Sequence, residues 1–267
     1  MYGAILGDII GSRFEFDRGG KTKKFELLTE EDCFTDDSVM TVAVADALMA
    51  AGVNASVDNI EKECIKAMKY WGRIYPNAGY GGRFWGWLFG GQEGAYGSYG
   101  NGSAMRVSAA GWLYDSVERT REVARATANV THNHPEGLKG AECTAAVIYL
   151  ARTGSTKEEI ASYVEREFGY DFSETLDDMR RRHEHVESCM DSLPKALRSF
   201  FDGTSYEDTV RNAVSLGGDT DTLAAIAGAM AEGFYGVPQE LKDRGDEFLE
   251  SDMIGVIRRF EELNFEL

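Results

Sequence analysis

Apolar residues recur at helical spacing along most of this chain, and only four prolines interrupt its 267 residues. Sheet proteins need frequent turns, and turns draw on proline and glycine at regular intervals. Alanine-rich runs with an apolar residue every three or four positions favour helices instead. The pattern predicts helices near 38–51, 57–71, 103–115, 118–129, 137–153, 156–167, 205–216, 221–235 and 244–263. Several begin at a residue suited to capping: Ser103 before AMRVSAAGWLY, Ser155 and Thr156 before KEEIASYVEREF, Ser205 before YEDTVRNAV. No fixed repeat and no charged linker divides the chain, so the expected fold is all-α, a single compact multi-helix domain over residues 1–267.

Residues 72–102, GRIYPNAGYGGRFWGWLFGGQEGAYGSYGNG, break the pattern with eleven glycines and a high density of aromatics. They are expected to form a long loop. A loop of that length inside a compact domain is more often functional than decorative.

The formal charge of −17 argues against a broad nucleic-acid surface, because such binding depends on phosphate neutralisation by Lys and Arg. A nucleic acid enters this reading only as a modified substrate. Neither a secretory leader nor an apolar run of about 18 residues is evident, so a soluble, cytoplasmic protein with no membrane partner is expected. Cys33, Cys64, Cys143 and Cys189 lack the close pairing of zinc or redox motifs and read as buried, reduced thiols.

Two acidic clusters stand at predicted helix entrances. Thr35-Asp36-Asp37 precedes SVMTVAVADALMA, and Asp219-Thr220-Asp221-Thr222 precedes LAAIAGAM. Capping and the helix dipole explain one such cluster, but capping uses one side-chain oxygen per helix, whereas these segments offer four carboxylates and several hydroxyls. Brought together, four carboxylates repel unless protonated or neutralised by cations. Oxygen donors without nearby Cys or His point to Mg²⁺, Mn²⁺ or Ca²⁺ rather than Zn²⁺. An EF-hand fails on spacing, since Met230 falls where its bidentate Glu belongs. The DDxxD pattern of isoprenoid synthases fails too, because Asp36-Asp37 continues as Ser38-Val39-Met40.

Three further segments carry polar groups suited to a ligand. SYGNGSAMRVSAAGWLY, residues 98–114, is a glycine-rich turn before a predicted helix, where backbone N–H groups and Ser103 can hold an anion. NVTHNHPEGLKG places His132 and His134 in a turn, two residues apart and therefore off any common helical face. GAILGDIIGSRFEF spaces glycines at 3, 7 and 11 for close helix packing and carries Glu15 near its end, which either pairs with Arg13 or Arg18 or points into a cleft as an acid, base or water-positioning group.

In content and order, GAILGDIIGSRFEF, FTDDSVMTVAVADAL, SYGNGSAMRVSAAGWL, THNHPEGLKGAECTAAVIYLAR and SLGGDTDTLAAIAGAMAEGFYGVP resemble the ADP-ribosylglycohydrolase family, which includes the dinitrogenase reductase-activating glycohydrolases and the ADP-ribosylhydrolases of animals. The resemblance covers essentially the whole chain. It implies an all-α hydrolase that uses two divalent cations, Mg²⁺ or Mn²⁺, to cleave the N- or O-glycosidic bond between ADP-ribose and an acceptor. By that resemblance the metal ligands are Thr35, Asp36, Asp37, Asp219, Asp221 and Thr222, and the catalytic residues are Glu15, Asp36, Asp37 and Asp219. Asn101, Gly102 and Ser103 correspond to a diphosphate-binding loop, and His132 to a ligand-contacting position. Tyr80, Phe84 and Tyr99 are candidates for stacking on adenine. The implied partner is an ADP-ribosylated protein or a small ADP-ribosyl conjugate, with ADP-ribosyl-arginine first. Another ADP-ribosyl conjugate, and a non-catalytic, crystallin-like member of the family, are the alternatives.

Overall fold

Glycines 3, 7 and 11 fall one helical turn apart and leave one face of the first helix without side chains. A computed structural model describes the backbone of residues 1–92, 94–182 and 185–266. Glu93 of the glycine-rich segment lies outside the described residues. The early helices are α1 (Tyr2–Ser12), α2 (Asp36–Ala51), α3 (Val57–Ile74), α4 (Gly82–Phe89) and α5 (Gly102–Met105). The middle of the chain forms α6 (Val117–Asn129), α7 (Pro135–Arg152), α8 (Lys157–Phe168), α9 (Leu176–Arg180) and α10 (Cys189–Asp202). It ends in α11 (Tyr206–Val214), α12 (Thr220–Tyr235), α13 (Gln239–Asp246) and α14 (Ser251–Glu266). No strand forms among the described residues; the one sheet-like pairing is an isolated antiparallel bridge between Gly100 and Ser188.

The fold is built around α12, whose residues from Thr220 to Glu232 are all buried, which suits its alanine-rich and nearly uncharged sequence. It packs against α1, α7, α10 and α11. Against α1 the approach is backbone to backbone: a Cβ on Gly7 would stand 2.1 Å from the Ala224 carbonyl oxygen, and one on Gly11 2.5 Å from that of Thr220. The Thr220 hydroxyl donates to Gly11 O at 2.9 Å, and the Tyr206 hydroxyl to Gly3 O at 2.9 Å. These contacts place the start of the chain beside its last third.

Several boundaries differ from the sequence expectation. The helix expected over 103–115 is instead the single turn α5 and a 3-10 turn at Ser108–Gly111. Ser103 is not its cap: Asn101 holds the N-cap position, and the Ser103 hydroxyl donates to Gly137 O at 2.7 Å. Gly111 is pressed against Ile148 of α7, so tertiary contact overrides the helical period here. The helix expected over 244–263 is divided between α13 and α14, with Gly245 seated on Leu6. Residues 72–102 are not wholly a loop, since they contain the end of α3 and all of α4. Phe84, Trp87 and Leu88, at helical spacing, bury the inner face of α4. The caps at Thr156 and Ser205 form, the former as a full capping box with Glu159. Cys64, Cys143 and Cys189 are buried free thiols, but Cys33 is exposed. Among the described residues no helix is long and apolar enough to cross a membrane.

Candidate active site

Thr35 caps α2, accepting the Asp37 N–H on Oγ1 at 3.3 Å. The carboxylates of Asp36 and Asp37 are therefore not needed for capping. At α12 the separation is sharper. Asp219 occupies the N-cap but makes no side-chain cap bond; its Oδ2 accepts from Asn101 Nδ2 at 2.6 Å instead. Gly217 and Gly218, at φ +74° and +75°, turn the chain into this entrance through the left-handed region that glycine tolerates.

The third contributor is Asp8, which sequence reasoning missed. It lies in the middle of α1, fully buried, and its carboxylate accepts the Thr35 N–H at 2.9 Å, the Thr35 hydroxyl at 2.7 Å, the Ser38 N–H at 3.0 Å and the Ser38 hydroxyl. The available signal was a lone acidic residue within an apolar run whose glycine spacing already called for burial.

Packing of α1 on α12 and α2 brings carboxylate oxygens of Asp8, Asp37 and Asp221 within 4.8 Å of one another, and likewise those of Glu15, Asp219 and Asp221. Asp221 belongs to both groups. Thr222 donates its hydroxyl to Asp37 Oδ2 at 3.1 Å, while Asp37 Oδ1 is sealed from water without a partner among the described residues. A buried, unpartnered carboxylate oxygen beside further carboxylates is a donor set that fits hard divalent cations. Thr35 does not line the cleft; one lone pair takes the cap bond and its proton goes to Asp8, which leaves a second lone pair.

Burial dominates the electrostatics. It raises the carboxyls of Asp8, Asp37, Asp219 and Asp221 above their ordinary range, with repulsion from neighbouring carboxylates adding to the rise at Asp37 and Asp221. Asp36 is pushed up to about 8 by burial and then by Asp8 and Asp219, and Glu15 to about 7 by burial and then by Asp219. A carboxyl with a raised folded pKa contributes stability at low pH that is lost as pH climbs through the folded value. Without metal, the melting temperature is therefore expected to fall between about pH 5 and about pH 8, and a divalent cation to remove most of that fall. A metal-free melting temperature that rises over the same interval would contradict this arrangement.

Glu15, Asp36, Asp37, Asp219 and Asp221, but not Asp8, line a cleft of about 320 Å³ that is also lined by Phe84, Tyr96, Asn101, Gly102, Arg106 and His132. The turn at 100–102 is tied down by segment 187–189: Asn101 N–H donates to Glu187 O at 2.9 Å and Cys189 N–H to Tyr99 O at 3.0 Å. Asn101 and Gly102 face the cleft; the Ser103 side chain turns inward to Gly137. His134 caps α7, accepting from Glu136 N–H at 3.2 Å, whereas His132 lies against the turn. Glu15 lines the cleft and has no ion pair with an arginine among the described residues; Arg13 pairs with Asp32 instead. Of the three aromatic candidates only Phe84 reaches the cleft. Tyr80 packs behind it, Tyr99 stands outside against His134, and Tyr96, which was not anticipated, lines the wall.

The helical fold, the glycine turn and the divided acidic cluster define a class of protein that comparison with known families identifies. The ADP-ribosylglycohydrolase model matches residues 1–263, and the chain belongs to that family. It is an ADP-ribosylglycohydrolase enzyme. Among similar proteins, ADP-ribosylhydrolase ARH3 of Bos taurus is 27% identical over 95% of this chain and 89% of its own length, and ARH3 of Homo sapiens is 27% identical over 95% and 90%. ADP-ribosylarginine hydrolase Tri1 of Pseudomonas putida is 28% identical over 89% of this chain and 70% of its own length. A solved structure described as an ADP-ribosylglycohydrolase-related protein complex superposes with a TM-score of 0.67 at 21% identity, covering 98% of this chain and 95% of that one, and so shares the fold.

Proposed function

We propose that this protein hydrolyses the glycosidic bond between the anomeric carbon of ADP-ribose and a nitrogen or oxygen of an acceptor, with ADP-ribosyl-arginine as the first substrate. The observation that carries this reading is Asp221, shared by two groups of carboxylate oxygens in a cleft that the glycine turn also lines. Asp36, Asp37, Asp219, Asp221, Thr222 and the free lone pair of Thr35 are the donors for two cations, Mg²⁺ or Mn²⁺, and Asp8 is a further candidate. Ions held there would supply Lewis-acid chemistry, orienting the ribose hydroxyls and polarising water.

The chain's own groups account for the remaining tasks. Glu15, at the cleft and with its pKa raised to about 7, is suited to take a proton from the attacking water. Asp36, Asp37 and Asp219 surround the carbon with negative charge as it gains oxocarbenium character. The water oxygen bonds to the anomeric carbon, the acceptor atom leaves with the bonding electrons and takes a proton, and ADP-ribose and the free acceptor result. Asn101 fixes Asp219 through its side chain, and because the Gly100 and Asn101 N–H groups already donate to Ser98 Oγ and Glu187 O, the backbone N–H groups of Gly102 and Ser103 are the turn's donors to the diphosphate. Support for arginine as acceptor comes from the likeness to Tri1.

The test is release of free ADP-ribose from ADP-ribosyl-arginine and from a hydroxyl-linked ADP-ribosyl peptide, with Mg²⁺, with Mn²⁺ and with chelator. Metal-dependent release from the arginine conjugate is expected. Release from the hydroxyl-linked peptide alone would transfer the reading to that acceptor. Absence of both release and ADP-ribose binding would end it.

A further inference from the structure

Arg106 is a fully buried guanidinium with no carboxylate in salt-bridge range among the described residues. Its Nη2 donates to the Thr131 hydroxyl oxygen at 2.8 Å, and that same oxygen lies 2.8 Å from His132 Nδ1. Thr131 is 0% exposed, so its one hydroxyl proton must find a partner inside the protein. A threonine hydroxyl offers one donor and two acceptor lone pairs, and Arg106 can only donate. Were His132 Nδ1 also to donate, the proton of the buried Thr131 hydroxyl would have no acceptor among the described residues. With the hydroxyl donating to Nδ1, both the Thr131 hydroxyl and Nδ1 are satisfied. The histidine proton is then on Nε2.

Nε2 has no hydrogen-bond partner among the described residues. It faces the glycine turn: a Cβ built on Gly102 would stand 3.2 Å from it, and one on Gly100 3.5 Å. Both glycines and His132 line the cleft. Burial, followed by the charges of Arg106 and Arg83, holds the imidazole well below its ordinary pKa and thus neutral.

We infer that Arg106 and Thr131 are positioning residues, a relay that fixes His132 in the Nε2–H form so that the cleft presents a fixed N–H donor to an acceptor oxygen of the substrate resting on the Gly100–Gly102 turn. The inference rests on the functional reading above for the identity of that substrate, a diphosphate ester; the relay itself does not depend on it. Arg106 acts through Thr131 and His132 in this arrangement.

The test is nitrogen NMR on histidine-labelled protein, first without ligand and then with ADP-ribose and Mg²⁺, for the wild type, Thr131→Val and Thr131→Ser. The wild type should show a pyridine-type Nδ1 and a protonated Nε2, and ADP-ribose should shift the Nε2 signal. Thr131→Val should mix the tautomers and weaken ADP-ribose binding about tenfold, as expected for a hydrogen bond to a charged group, while Thr131→Ser restores both. A protonated Nδ1 in the wild type, a tautomer unchanged by Thr131→Val, or bound ADP-ribose that leaves Nε2 unmoved would overturn the inference. The wild-type spectrum decides the tautomer even if Thr131→Val does not fold. ADP-ribose failing to bind a wild type that shows the Nε2–H form would refute the functional reading and leave the relay supported.

Discussion

Asp221→Asn is expected to lower turnover of an ADP-ribosyl conjugate by about a thousandfold or more while the protein stays folded. Asp221 is the one carboxylate common to both groups of oxygens, so its loss weakens both cation sites together. Cation-based stabilisation of charge in a transition state is worth several kcal/mol, at about 1.36 kcal/mol for each tenfold in rate. The substitution is structurally mild. Asp221 Oδ1 accepts the Thr222 N–H at 2.9 Å, a bond that the asparagine carbonyl can keep. Removing one negative charge from mutually repelling buried carboxylates should leave the metal-free melting temperature unchanged or higher. Loss of a helix cap has the opposite signature, about 0.5–2 kcal/mol of stability and little effect on rate. Rate assays paired with thermal scans with and without Mg²⁺ distinguish the two, and wild-type turnover in the variant would remove Asp221 from the chemistry.

The second large effect is expected at Gly7→Ala, far from any substrate atom. The added methyl group would sit 2.1 Å from the Ala224 carbonyl oxygen and 2.4 Å from its carbon, and a backbone atom cannot rotate out of the way. Overpacking a tight core costs about 1–3 kcal/mol and occasionally more, and a clash between two helix backbones belongs at the upper end. Since α1 carries Asp8, separation from α12 also draws that carboxylate away from Asp37 and Asp221. The variant should therefore lose both stability in urea and its melting response to Mg²⁺. Gly86→Ala is the matched control: nothing lies within 4 Å of a Cβ there, and alanine in a helix is favoured over glycine by about 0.5–1 kcal/mol. Equal urea midpoints for Gly7→Ala and the wild type would mean that the glycine face does not set the helix spacing.

What the sequence made legible follows from which signals are local. The acidic clusters at Asp36-Asp37 and Asp219-Asp221 could be read because they exceed what capping consumes, and the structure brings Asp37 and Asp221 to one cleft. Helical period found most of the long helices. It failed over 103–115, where contacts of Gly111 with Ile148 and of Ser103 with Gly137 decide the backbone. The glycines of 72–102 concealed α4 because composition outweighed the spacing of Phe84, Trp87 and Leu88. Asp8 and Arg106 escaped notice for a related reason. Each is a single charge in an apolar helix or turn, and its partners, Thr35 and Ser38 for one and Thr131 for the other, lie 25 to 30 positions away. The aromatic wall was named only in part, since Tyr96 reaches the cleft and Tyr80 and Tyr99 do not.

The union of α1 with α12 also bears on how the protein comes into being. Thr220 and Gly11, joined by a hydrogen bond, are 209 positions apart. Contacts of such separation raise contact order, and topologies rich in them fold slowly because the chain must close a long loop before the contact gives anything back. On a ribosome α1 waits, its glycine face uncovered, until the segment near residue 220 has been made. The acidic cleft is thus among the last features to form. A cation binding there would report completion of the whole molecule, and the rise of metal affinity during refolding should follow the slowest phase of recovery rather than the earlier gain of helix.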